Sequence, residues 1–329
     1  MSAIYSLYSI TYQFLRPSKP RLVEADVPDL TGKITIVTGS NTGIGKEIAR
    51  ILYSKNAKVY ILARSEEKAR KAIDDIKTAV PDSSGELTYL HLDLADLPSI
   101  KTTAEEFLRR ESRIDLLFNN AGVAFPPSGS KTKQGYELHL GVNCLGSFAL
   151  TKLLTPTIVS TAKAAPRGSV RVIWVSSSAA ESLNPANYMQ SVENAANLTA
   201  VGQYFSSKLG NYLHGAEFAS RHRADGVISI PLNPGALDSE LWREQSSVVK
   251  SFLQTTLLHP SVYGAYTCLY AAFSPEITIE KSGSYVAPWG RLWDVATTMA
   301  KAGKRVEDGG DGTAKEFWEW CDAQVNKYL

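Results

Sequence analysis

Tyr204 and Lys208 stand four residues apart near the start of a helical pattern over residues 202–222. That spacing puts both side chains on one helical face, so the ammonium lies near the phenol. A cation there favours the phenolate and lowers the tyrosine pKa toward neutrality. A phenol so tuned exchanges a proton at working pH, which its free value of ~10 hinders. The same spacing also describes a surface lysine beside a partly buried tyrosine, so the pair needs support from the rest of the chain. Three serines, Ser176-Ser177-Ser178, follow the apolar run 170–175 and add hydroxyls. Residues 33–46, KITIVTGSNTGIGK, add glycines at 39, 43 and 45 between an apolar run and a helical face of Ile44, Ile48 and Ile51. A strand, a Gly-rich turn and a helix in that order present backbone N–H groups to a phosphate. There is no Gly-Lys-Ser/Thr ending, which disfavours a P-loop.

These groups need elements to hold them. Apolar runs at 34–37, 58–62, 87–92, 114–118, 170–175 and 227–232 alternate with helical patterns at 66–79, 97–110, 136–154 and 202–222. The alternation predicts an α/β fold, a doubly wound parallel sheet of Rossmann type with helices on both faces. Ligands bind such sheets beyond the carboxyl ends of the strands. After the second run come Ala63-Arg64, where an NAD enzyme usually carries an acid; a guanidinium suits a 2′-phosphate and favours NADP(H) over NAD(H). Asp93-Leu94 follow the third run, with Asp93 either accepting from an adenine amine or capping the next helix. Asn119-Asn120-Ala121-Gly122 follow the fourth, small enough for a ligand to lie on the backbone. Asn233-Pro234-Gly235 follow the sixth.

The totals fit one α/β domain of 329 residues, 44% hydrophobic and 21% charged. A net charge of +2 gives no reason to expect nucleic acid. Cys144, Cys268 and Cys321 are scattered, which points to a reducing, cytoplasmic setting, and neither they nor the five histidines show metal-ligand spacing. Residues 1–15 carry no charge, are too short to span a bilayer and lack a basic leader region. Ile4, Tyr8, Tyr12 and Leu15 share a helical face, which reads as an arm packed on the protein, with interfacial membrane contact as the alternative. The expected division is an arm and linker over 1–30 and a single domain over 31–329. Within the latter, a lid is expected over about 236–260 and a helical extension over about 290–329. Trp289 is a candidate pocket wall, and Trp318 and Trp320 read as core or subunit contact.

Taken together, T-G-x-x-x-G-I-G, N-N-A-G, the serine pair and Y-x-x-x-K resemble the short-chain dehydrogenase/reductase family over roughly residues 31–240. V-Y-I-L-A-R-S, L-D-L-A-D-L and N-P-G look most like its retinol-dehydrogenase-like branch and the fungal relatives of that branch. The resemblance implies Tyr204 as acid or base, with Lys208 lowering its pKa and holding the nicotinamide ribose. It implies Ser177 as the substrate-oxygen ligand, with Ser178 its rival. Asn143 would kink its helix and hold a water toward Lys208. Gly39, Ser40, Asn41, Gly43, Ile44, Gly45, Asp93, Leu94, Asn120, Ala121 and Gly122 would form the cofactor site, and Pro234, Gly235 and Ser239 would close over the nicotinamide. Family members often pair through helices equivalent to 136–154 and 202–222, so a homodimer is implied. Trp174 stands where an Asn is frequent. Ser177 and Tyr204 are 27 apart, so 179–203 reads as an inserted loop at the substrate mouth.

The resulting expectation is an NADPH-dependent carbonyl reductase acting on a small apolar substrate, retinoid- or steroid-like or from secondary metabolism. The alternatives are a lyase, isomerase or cyclase on the same fold, or a nucleotide-sensing binding protein. An α/β hydrolase is disfavoured because no G-x-S-x-G occurs.

Overall fold

The computed structural model describes Gln13 and residues 19–238 and 258–329. Ser239 and the rest of 239–257, most of the expected lid, and Ile4, Tyr8, Tyr12 and Leu15 lie outside the described residues. The six apolar runs become parallel strands, β1 (Ile34–Thr38), β2 (Lys58–Ala63), β3 (Glu86–His91), β4 (Leu116–Asn119), β5 (Arg171–Val175) and β6 (Ile228–Leu232), and a seventh, β7 (Tyr285–Ala287), joins them in parallel. An eighth, β8 (Arg291–Trp293), pairs antiparallel with β7. The order across the sheet is β3-β2-β1-β4-β5-β6-β7-β8. The chain winds outward from β1 in both directions, so the switch point lies between β1 and β4, where Ile36 pairs with Leu117. Alternation sends Val172 and Trp174 of β5 to one core and Ile173 and Val175 to the other, so both faces of the strand are dry.

The helices are α1 (Gly43–Ser54), α2 (Glu66–Ala79), α3 (Leu97–Arg110), α4 (Ser147–Ala164), α5 (Tyr188–Glu193), α6 (Ala200–His222), α7 (Ser261–Phe273), α8 (Thr297–Ala302) and α9 (Thr313–Val325). A π-helical turn, Leu140–Gly146, leads into α4. The helix expected over 136–154 therefore starts later and runs on past Pro156, because Leu154, Ile158 and Ala162 continue its buried face. Leu140–Ala164 is the one helix among the described residues long and apolar enough to cross a membrane, and most of its apolar stretch is buried in the protein's own core.

Two expectations need correction. Residues 179–203 form not an open loop but short helical turns and α5, anchored by Tyr188, whose hydroxyl donates to the Ser206 carbonyl at 3.1 Å. The extension past 290 is not wholly helical, since it begins with β8. Its last helix, α9, lies on α6 and α4. Phe317 stacks on His214 at 4.7 Å, and Trp318 meets Phe148 edge-on at 4.7 Å. Trp318 is thus a core residue, while Trp320 is partly buried against Phe317. α9 covers part of the two helices through which the resemblance implies pairing.

Candidate active site

At the switch point the ends of β1 and β4 are stitched together. Thr38 Oγ1 donates to the Phe118 carbonyl at 3.2 Å and accepts from the Asn120 and Ala121 amides at 3.0 and 2.9 Å. Asn120 Nδ2 returns a bond to the Thr38 carbonyl at 2.8 Å. Gly39 (φ +66°) and Gly43 (φ +54°) take the left-handed turn that opens α1. Thr42, the N-cap of α1, makes no side-chain cap, so the first-turn N–H groups face the cleft uncapped.

This cleft has a volume of about 390 Å³ and is walled by Gly39, Asn41, Gly43, Ile44, Arg64, Asp93, Leu94, Asn120, Ala121 and Gly122. All of these are among the residues expected from the sequence to form the cofactor site, and the fold brings them to one cleft. Ser40 and Gly45 do not form the wall. The Ser40 hydroxyl turns inward to the Val37 carbonyl at 2.7 Å, and Gly45 packs under the turn against Gly39 and Asn120. Asp93 is not the cap of α3, which is Asp96; Asp93 Oδ1 accepts from the Ala95 amide at 3.0 Å and braces the turn in the wall. Lys68, which sequence reasoning did not single out, joins Arg64 in the lining of the cleft from the first turn of α2. Uncapped amides and two cations beside a groove of small residues fit a dinucleotide.

A second cavity of about 320 Å³ shares Ile44, Asn120 and Gly122 with the first. Ser177, Tyr204, Lys208, Pro234 and Gly235 meet in it, with Ser178 in the same wall. Ser177 is partly exposed, accepts from the Ala179 amide at 3.2 Å and acts to lower the Tyr204 phenol, while Ser178 is buried in the following turn. Ser176 is structural: its hydroxyl donates to the Lys208 carbonyl at 2.6 Å. Lys208 Nζ lies 5.9 Å from the Tyr204 ring centre and donates to the Val175 carbonyl at 3.0 Å.

Asn143 sits in the π turn. Its Oδ1 accepts from the Val123 amide at 2.8 Å, and its Nδ2 donates to the Val123 carbonyl at 3.0 Å and to Ser207 Oγ at 2.9 Å. A Cβ on Gly122 would stand 3.1 Å from Asn143 Oδ1 and 3.6 Å from Lys208 Nζ, so only glycine leaves this corner unstrained.

Burial corrects the expected electrostatics. It pushes the Tyr204 phenol up to about 12, against the lowering hydrogen bond from Ser177. It also pulls the Lys208 ammonium down to about 8. Desolvation disfavours whichever form is charged, so it moves the two groups in opposite directions.

The opposite wall holds further surprises. Trp289 does not line the cavity; its ring backs Gly235, whose φ of +102° brings the backbone against it. Asn233 Nδ2 donates to Gln13 Oε1 at 2.8 Å, and Gln13 Nε2 donates to Glu181 Oε1 at 2.7 Å. The buried Gln13 thus bridges the 178–182 turn and the N-P-G turn. Phe125, unforeseen from sequence, lines the cavity with its ring 5.3 Å from that of Tyr204. No group of three metal-ligating side chains converges among the described residues.

Comparison with known proteins agrees with this geometry. The family model for short chain dehydrogenase matches residues 33–249. A short-chain dehydrogenase/reductase of Phomopsis amygdali is 49% identical, covering 95% of each chain. A solved protein of Mycobacterium paratuberculosis superposes with a TM-score of 0.66 at 25% identity, covering 92% of this chain and 97% of its own. RhlG of Pseudomonas aeruginosa, solved with NADP, shares the fold at 22% identity and a TM-score of 0.60, covering 78% of this chain and 94% of its own. The chain belongs to the short-chain dehydrogenase/reductase family and is an oxidoreductase.

Proposed function

We propose that the protein reduces a small, apolar carbonyl compound with NADPH, and oxidises the matching alcohol in reverse. The observation that carries this reading is the convergence of Ser177, Tyr204 and Lys208 in an apolar cavity continuous with the nucleotide cleft. When bound, the nicotinamide supplies the hydride. Ser177 and Tyr204 donate hydrogen bonds to the substrate oxygen, and Tyr204 delivers the proton as charge develops there. A phenol raised to about 12 is held protonated and so donates a hydrogen bond to the substrate oxygen, but it releases its proton less readily than a free phenol. Lys208 places its positive charge behind the phenol, and Asn143 fixes the backbone of Val123 in the adjoining wall. Ile44, Phe205 and Leu237 give the cavity its apolar lining.

The test is NADPH consumption with a panel of apolar aldehydes and ketones, repeated with NADH. Arg64→Ala is expected to weaken NADPH binding about 3–10-fold and leave NADH binding unchanged, the modest size reflecting an exposed charge pair. Equal losses for both nucleotides would refute the 2′-phosphate role. In the pH profile, Lys208 is charged below about 8 and neutral above it. The kcat/KM for reduction is therefore expected to be level at lower pH and to fall above about 8. Lys208→Met should remove that limb along with most of the rate; a limb that survives belongs to another group.

A further inference from the structure

We propose that Phe125 sets the size of carbonyl compound this cavity admits beside the reacting phenol, and that His139 and Glu137 act as positioning residues for it. The inference rests on the reductase reading. The Phe125 backbone has φ +50°, a region that non-glycine residues rarely enter. It also precedes Pro126, and the proline ring favours extended backbone at that place. A conformation disfavoured twice persists only where its surroundings enforce it.

The enforcing contact comes from the π turn's leading edge. The Phe125 amide donates to His139 Nε2 at 3.2 Å. His139 Nε2 must then be the acceptor, so Nδ1 carries the proton and donates it to Glu137 Oε1 at 2.7 Å. Glu137 is fixed in turn by the His139 and Leu140 amides, each at 2.9 Å. Burial raises the Glu137 carboxyl, but the bonds from His139 and the backbone outweigh it and leave the group below its ordinary value, a carboxylate. Both side chains are buried, and the His139 ring stands 6.2 Å from Tyr204. None of these bonds reaches the reacting atoms. Their combined result is to hold one benzyl group, tilted 39° to the phenol, at the edge of the substrate space.

A rigid ring at that edge excludes bulk next to the carbonyl carbon. Methyl and unbranched ketones are admitted; ketones with branched or ring substituents beside the carbonyl are not. The experiment measures kcat/KM for a graded series from methyl alkyl ketones to aryl and tert-alkyl ketones. It also measures Kd for the same ketones by calorimetry on protein saturated with the nicotinamide nucleotide. Phe125→Ala is expected to raise the bulky-to-small ratio about tenfold, within the range one pocket contact supplies. His139→Phe, which keeps a ring but loses the acceptor, should shift the ratio the same way. Its combination with Phe125→Ala should add nothing more, and His139→Gln, which offers an amide oxygen, should return the ratio toward the native one. An equal fall for every ketone in Phe125→Ala, or an unchanged ratio in His139→Phe, overturns the proposal. If the native protein turns over no ketone, the reductase reading fails while the size ratio is still read from Kd. Absence of binding by the whole series overturns the proposal as well.

Discussion

Tyr204→Phe is expected to lower carbonyl reduction about 10²–10⁴-fold, the usual contribution of a positioned acid. The substitution removes one hydroxyl and keeps the ring that packs beside Phe125 and His139. Fold and nucleotide affinity should therefore survive, and the loss should appear in kcat. The decisive pairing is single-turnover reduction with a nucleotide-binding titration on the same sample. Retained reduction would show that a group other than Tyr204 supplies the proton; loss of both signals would mean that the variant had misfolded. Ser177→Ala is expected to cost less, because Tyr204 still donates to the substrate oxygen.

Gly45→Ala should have the second large effect, by a different route. A Cβ there would stand 2.7 Å from Asn120 Nδ2 and closer still to the Gly39 carbonyl oxygen. The Gly39 carbonyl is backbone in a left-handed turn, and Asn120 is tied to Thr38, so neither yields cheaply. Overpacking of this kind costs about 1–3 kcal/mol. Relief comes from moving α1 away from β1, which spoils the first-turn amides. The expected outcome is a Tm lowered by several degrees and NADPH affinity reduced at least about tenfold, read by thermal melts with and without nucleotide. A variant with native affinity would show that the turn's geometry is not what binds the phosphates.

Much of this site was readable because Rossmann sheets place chemistry at strand ends, and strand ends are where apolar runs stop. The loops holding Arg64, Asp93, Asn120 and Ser177 were found that way. What escaped was direction and distance. Ser40 sits in the right loop, but spacing cannot tell that its hydroxyl turns under the strand rather than into the cleft. The helix expected over 136–154 runs on through Pro156, because the buried Leu154, Ile158 and Ala162 continue its face. β8 is three residues of partly buried chain, too short for any periodicity to register. Phe125 and His139 meet by a loop folding back on a helix, a contact with no sequence period. The Tyr204–Lys208 spacing put the two groups on one face, but desolvation of both is a property of the folded cavity and is the largest cause of each shift.

Gln13 has a practical consequence. Chain ends are usually the safe place to attach a purification tag or to trim for crystallisation. Here a residue near the amino end spans 168 positions to Glu181 and 220 to Asn233, clasping the two turns that carry Ser177 and Gly235. A tag or deletion that disturbs it would loosen the substrate cavity from behind. Preparations that differ only at that end should then differ in KM, and assays that seek a substrate are best run on the full sequence with any handle placed at the carboxyl end.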